Sequence, residues 1–193
     1  MTNLTNLRKI VKDAWGFVEE MDMKTKMVLT VGSVLRGDDA AGPMLAKMLE
    51  TRPIDGWEVI DGGQTPEDEL SVIRRKEPDL LLLVDAADMG LEAGEIRLLD
   101  EKDVYSDFLI TTHSLPLTYL LKELKASCKK VVFLGIQPSH TEFFGALHPD
   151  VRKAVETIYN CLAEGGDISR FHRMNRSHSN KSSSTTSETI SAL

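Results

Sequence analysis

Cysteine is almost missing from this chain. The 193 residues hold two, Cys128 and Cys161, far apart and in no CxxC pair. That excludes a disulfide framework and a thiolate zinc site, and it fits a reducing compartment. Basic charge is also short: 23 Lys and Arg stand against 30 Asp and Glu, a formal net charge of -7. Nonspecific nucleic-acid binding runs on clustered cations, so no nucleic-acid partner is expected. The opening stretch MTNLTNLRKIVKDAWGFVEEMDM contains no long apolar run. It reads as neither a signal peptide nor a membrane span, so the expectation is a cytoplasmic protein without membrane insertion. No internal repeat is visible.

The last absence concerns a loop. VGSVLRGDDAAGP, residues 31–43, begins like a phosphate-binding loop, with Gly32 and then Gly37 after four residues. A P-loop would continue with Lys and Ser or Thr, because a cation must meet the phosphates. Asp38 and Asp39 stand there instead. An acidic pair repels phosphate and attracts a cation.

What is present suits one domain with a sizeable core, since 41% of the residues are apolar. Three regions are expected. Residues 1–26 form an N-terminal helical extension, with Ile10, Val11, Ala14, Trp15 and Val18 on one face of a helix over 5–20. Residues 27–164 form an α/β domain. Residues 165–193, poor in apolar groups and rich in Ser, Thr and Asn, read as a disordered tail.

Within the middle region, KMVLTVG (26–32), WEVID (57–61), LLLLVDA (80–86) and KVVFLGIQ (130–137) are short, apolar and without clean alternation. They read as strands buried on both faces of a mostly parallel sheet. GEIRLLD (94–100) alternates and reads as an edge strand. Pro43 is expected to open a helix running to about Glu50, and Thr65 to cap a second with Pro66 in its first turn. Ser114 is expected to cap a third, with Leu117, Leu120, Leu121 and Leu124 as its stripe. Val151, Val155, Ile158 and Leu162 mark a fourth. The alternation predicts an open, three-layer α/β sheet of about five strands with helices on both faces.

In such sheets the functional crevice lies beyond the C-terminal strand ends, where strand order reverses. Placing the first strand between the second and third puts that point between the first and third. Asp38 and Asp39 follow the first strand, Asp85 ends the third, and His113 lies in LITTHSLPL just before a helix. Each has a plain structural reading. Asp38 or Asp39 can cap the Pro43 helix, Asp85 can turn the chain, and His113 can be an ordinary packed residue. Together they suggest a metal site of carboxylates and an imidazole. An acid ending a run of four leucines and a valine also needs a partner. His140 and His148 read as loop residues that rim the cleft at most. The two cysteines fit small apolar packing.

GSVLRGDDAAGP, VIDGGQTPE, LLLVDAADMGLEAGEIRLLD, TTHSLPLTYLL and VVFLGIQP, in this order, resemble the hydrogenase maturation peptidases, and most the hydrogenase 3 (formate-hydrogenlyase type) group. The likeness spans residues 27 to about 163. It implies a twisted sheet between helices with one antiparallel edge strand. It also implies a peptidase that makes a single cut near the C-terminus of a [NiFe]-hydrogenase large-subunit precursor. By this resemblance Asp39, Asp85 and His113 are the metal-contacting and catalytic residues. The cation is nickel carried in by the precursor, with no organic cofactor. The alternative is a nickel-sensing escort that binds the immature subunit without cutting it. Two positions depart from the family loop: Ser33 stands where Asn is common, and Ala40 where Gly is common.

Overall fold

A computed structural model describes residues 25–104 and 117–174. The expected N-terminal helix, Ser114 and His113 lie outside the described residues, as does the chain beyond 174.

Five strands make one sheet in the order β2-β1-β3-β5-β4. They are β1 Lys26–Thr30, β2 Trp57–Asp61, β3 Leu80–Ala86, β4 Ile96–Leu99 and β5 Val131–Ile136. β1 pairs in parallel with β2 and β3, and β3 with β5, while β4 runs antiparallel to β5. The first strand lies between the second and third, so strand order reverses at the β1/β3 junction. Among the described residues, five α-helices surround the sheet: α1 Ala41–Thr51, α2 Leu70–Lys76, α3 Glu101–Val104, α4 Leu117–Ser127 and α5 Pro149–Ala163.

The strand sequences explain the layers. Successive side chains point to opposite faces, so the apolar run of β3 feeds two cores. Leu81 and Leu83 join Met27 and Leu29 under α2 and α4, with Ile73, Leu120, Leu121 and Leu124 as the helical contribution. Leu82 and Val84 join Val28, Leu134 and Ile136 under α1 and α5, with Leu45, Val151, Val155, Ile158 and Leu162. Each fully buried Leu or Ile is worth about 1.5–3 kcal/mol relative to exposure.

Four details differ from the sequence reading. β2 is an edge strand, with Trp57, Val59 and Ile60 half-buried and Glu58 and Asp61 exposed. An apolar run does not by itself distinguish a central strand from an edge. α1 starts at Ala41, two residues before Pro43, behind a 3-10 turn over Gly37–Ala40. Proline is tolerated there because the N–H groups of the first turn have no partner within the helix. Thr65 stands at the N-cap of a 3-10 turn, Pro66–Glu69, and makes no side-chain capping bond. Lastly, residues 165–174, placed by composition in the tail, are packed. Ile168 and Phe171 are buried in the α1/α5 core. Leu98 N donates to His172 O at 2.9 Å and Met174 N to Leu98 O at 3.0 Å, so this segment covers the outer edge of β4. Two apolar residues and a free strand edge outweigh the polar composition around them.

Candidate functional site

The loop after β1 is drawn tightly against the strand ends. Val31 N donates to Val84 O at 2.9 Å and Gly32 N to Gly63 O at 2.9 Å. Gly32 has φ 135, and a Cβ there would sit 2.0 Å from Asp39 O. Only glycine allows this approach. Gly42 is needed for closeness rather than dihedral freedom, since a Cβ would meet Val31 O at 2.0 Å. The 3-10 turn so formed carries both acids to the C-terminal rim of the sheet. Neither caps a helix: the turn and α1 have Arg36 and Ala40 at their N-cap positions, without side-chain capping bonds.

The two acids do different work. Both are fully buried. Asp38 accepts from Ser139 N at 2.7 Å, His140 N at 3.1 Å and His148 N at 2.6 Å. Its own N–H donates to His140 O at 3.0 Å. It therefore fastens the loop after β5 to the loop after β1. Charge-assisted bonds from several backbone N–H groups offset the desolvation of a buried carboxylate. Asp39 accepts from Ser33 N at 2.8 Å, within its own loop.

Asp85, in the last turn-ward part of β3 opposite Gly135, is also fully buried. Side-chain alternation puts it on the α2/α4 face, in line with Leu81 and Leu83. Asp39 and Asp85 thus share the C-terminal rim at the β1/β3 junction, where β3 and the 3-10 turn are in contact. His113, the third residue of the expected set, is outside the described residues. Among the described residues, no group of three or more His, Cys, Asp or Glu could hold a metal ion.

Gln137 was missed in the sequence. It directly follows β5, a polar side chain closing an apolar run as Asp85 does near the end of β3, and that signal could have found it. Its Oε1 accepts from Met89 N at 2.7 Å and Leu91 N at 3.2 Å. Its Nε2 donates to Asp88 Oδ1 at 3.1 Å and Pro138 O at 3.0 Å. The amide thereby holds the loop that follows Asp85. Between that loop and residues 137–141 opens a pocket of about 490 Å³, lined by Ala86, Asp88, Glu92, Gln137, His140 and Thr141.

The histidines are loop residues, as expected. His140 Nδ1 lies 3.6 Å from Asp38 Oδ2. His148 is the N-cap of α5, its Nδ1 accepting from Asp150 N at 3.3 Å. Both cysteines are free and buried. Burial pushes the Cys128 thiol up to about 11. Burial also raises Cys161, whose Sγ donates to Asp167 O at 3.4 Å. Neither is a thiolate nucleophile at neutral pH. Among the described residues, no helix is long and apolar enough to cross a membrane.

Fold and site together define a doubly wound α/β domain whose switch-point loop is acidic where a phosphate-binding loop would be cationic. Comparison with known proteins narrows that class. The sequence model described as "Hydrogenase maturation protease" matches residues 43–164. The chain is 46% identical over 138 residues to the hydrogenase 3 maturation protease of Escherichia coli K12, covering 72% of this chain and 88% of that protein. The solution structure of an endopeptidase HycI from Escherichia coli superposes with a TM-score of 0.73 at 42% identity, over 78% of this chain and 97% of that one. The crystal structure of a [NiFe] hydrogenase maturation protease HycI from Thermococcus kodakarensis gives 0.66 at 27% identity, over 74% and 92%. The chain belongs to the hydrogenase maturation protease family, and is a peptidase.

Proposed function

We propose that this peptidase removes the C-terminal extension of a [NiFe]-hydrogenase large-subunit precursor after nickel insertion, and that Asp39, Asp85 and His113 contact the nickel that the precursor brings. The observation that carries this reading is the pair of fully buried acids, Asp39 and Asp85, brought to one rim from opposite sides of the switch point. Carboxylate and imidazole donors suit nickel. His113 precedes α4 by four residues in sequence. α4 ends at the opposite rim, where Lys129 N donates to Pro78 O at 3.2 Å. Its first turn therefore points toward the rim that carries Asp85, which supports the third assignment.

In the proposed chemistry the metal-bearing precursor is positioned by these side chains. One carboxylate takes a proton from water as the water oxygen bonds to the scissile carbonyl carbon. The C–N bond then breaks, and the proton passes to the leaving amine. The pocket lined by Ala86, Gln137 and His140 gives an extended peptide room at the same C-terminal rim. The cytoplasm, where thiols stay reduced, is the proposed location; the two unpaired cysteines agree with it.

The test is intact-mass spectrometry of a purified nickel-loaded precursor incubated with the protein. Loss of a C-terminal peptide is expected from the wild type and not from Asp39→Asn. Normal cleavage by that variant would overturn the role of Asp39. Tight binding with no change of mass would favour the non-cleaving escort. His113→Ala should weaken binding of the nickel-bearing precursor more than of the empty one.

A further inference from the structure

Five large apolar side chains stand well out to solvent among the described residues: Val34, Leu35, Tyr119, Phe143 and Phe144. All but Tyr119 belong to two loops, and these are the loops that Asp38 fastens together. Phe143 is 61% exposed and Phe144 85%. Scattered apolar residues on a surface need no explanation, but a contiguous group marks an interaction site.

This group is built. Phe144 N donates to Leu35 O at 2.8 Å, which joins the loops a second time. The two phenylalanine rings lie 6.1 Å apart between centroids, and the Arg36 guanidinium sits 4.7 Å over the Phe143 ring. Phe144 has φ 59, in the left-handed region that a bulky residue seldom adopts and that Gly or Asn would occupy without strain. Such strain collects at working sites.

We propose that Val34, Leu35, Phe143 and Phe144 form the docking surface for an apolar segment of the precursor polypeptide, next to the segment whose metal meets the acids. The proposal rests on the peptidase reading above. Its ground is continuity with that site. Val34 and Leu35 stand in the same loop as Asp39, and Phe143 and Phe144 in the loop held by Asp38. A polypeptide bound across this surface lies on the loop that carries Asp39. Recognition then has two parts. The apolar rim takes the polypeptide whether or not nickel is present, and the buried acids add affinity only when it is.

The full chain is titrated with nickel-loaded and with empty precursor, reading affinity by fluorescence anisotropy and cleavage by mass. The variants are Leu35→Ser with Phe143→Ser, and separately Phe144→Asn, which accepts the left-handed backbone. Because these side chains are exposed, melting by circular dichroism stays near wild type. Exposed aromatic anchors at an interface centre predict a loss of about tenfold or more in affinity. The same factor is expected for both precursor forms, with kcat changed less than the affinity. Asp39→Asn, in contrast, weakens the nickel-loaded form alone. Unchanged affinity in the rim variants overturns the proposal, as does a loss confined to the nickel-loaded form. Wild-type self-association abolished by the rim variants would identify a second copy as the occupant and also overturn it. Binding without cleavage by the wild type brings down the peptidase reading and leaves the docking result standing. Absence of any precursor binding overturns both.

Discussion

The two rims of the sheet are held by opposite means. At the N-terminal rim the starts of β1, β3 and β5 are clipped by solvent-facing polar groups. Asp79 accepts from Thr25 N at 3.1 Å and pairs with Lys129. Nearby, Arg74 pairs with Glu123 across α2 and α4, and Lys76 with Glu58. At the C-terminal rim the carboxylates are buried and phenylalanines exposed. The backbone there bends through positive φ at Gly32, Gly37 and Phe144. Water-facing ion pairs contribute little each and fail gracefully. Buried acids are costly, and perturbed buried carboxylates cluster at working sites. The contrast separates a rim clipped by surface ion pairs from one that carries buried acids and exposed aromatics.

Four measurements test this difference between the rims. The largest effect is expected from Asp39→Asn, which should lower precursor processing by roughly a thousandfold, in the range for loss of a general base. Its melting should stay close to wild type, since Asn can still accept from Ser33 N. A parallel drop in stability would merge the two acids of the pair into one structural role. Next is Asp38→Ala. It strips the acceptor from three backbone N–H groups, and urea unfolding should show a loss of about 3 kcal/mol or more. An unchanged midpoint would remove the distinction between Asp38 and Asp39.

The third measurement concerns Cys128, which follows α4 at the N-terminal rim. Its folded pKa of about 11 exceeds the ordinary 9.0. The folded state therefore holds the proton more firmly, so stability is full below pH 9 and falls as pH rises from there toward 11. At pH 8 the folded protein should carry about a hundredfold less Cys128 thiolate than the unfolded chain, which a chromogenic disulfide reagent reads directly. Equal labelling rates would show the thiol to be open. The smallest effect is expected from Asp79→Asn. The Lys129 hydrogen bond, opposed in part by desolvation, holds the Asp79 carboxyl below the ordinary 3.8. Its contribution is present above that pH and is lost as pH falls through the lower folded value. The variant should flatten the acid limb of the stability curve and shift the neutral midpoint least of the set. A large neutral loss would mean that the N-terminal rim is more than a set of surface clips.

Much of the fold was legible because strands buried on both faces write their burial into continuous apolar runs. β1, β3 and β5 fall within a residue or two of the limits read from KMVLTVG, LLLLVDA and KVVFLGIQ. The edge character of β4 followed from the alternation in GEIRLLD. β2 was misjudged: Glu58 and Asp61 make WEVID more polar than β3 or β5, which was a sign of its edge position. Asp85 was legible as an acid that ends an apolar run. The division of labour in the acidic pair was not legible: the partners of Asp38 stand 101 to 110 residues further along the chain.

By itself, then, the sequence determined which segments are buried, that the switch-point loop is acidic, and to which family the chain belongs, because periodicity, charge and motif order are local properties. The folded chain decided that Asp38 is the acid that fastens the loops after β1 and β5 together. It also decided that residues 167–174 cover a strand edge, and that four apolar side chains meet in the open beside the site. Those are facts about groups distant in the chain that become neighbours only once the cores on both faces of the sheet have closed.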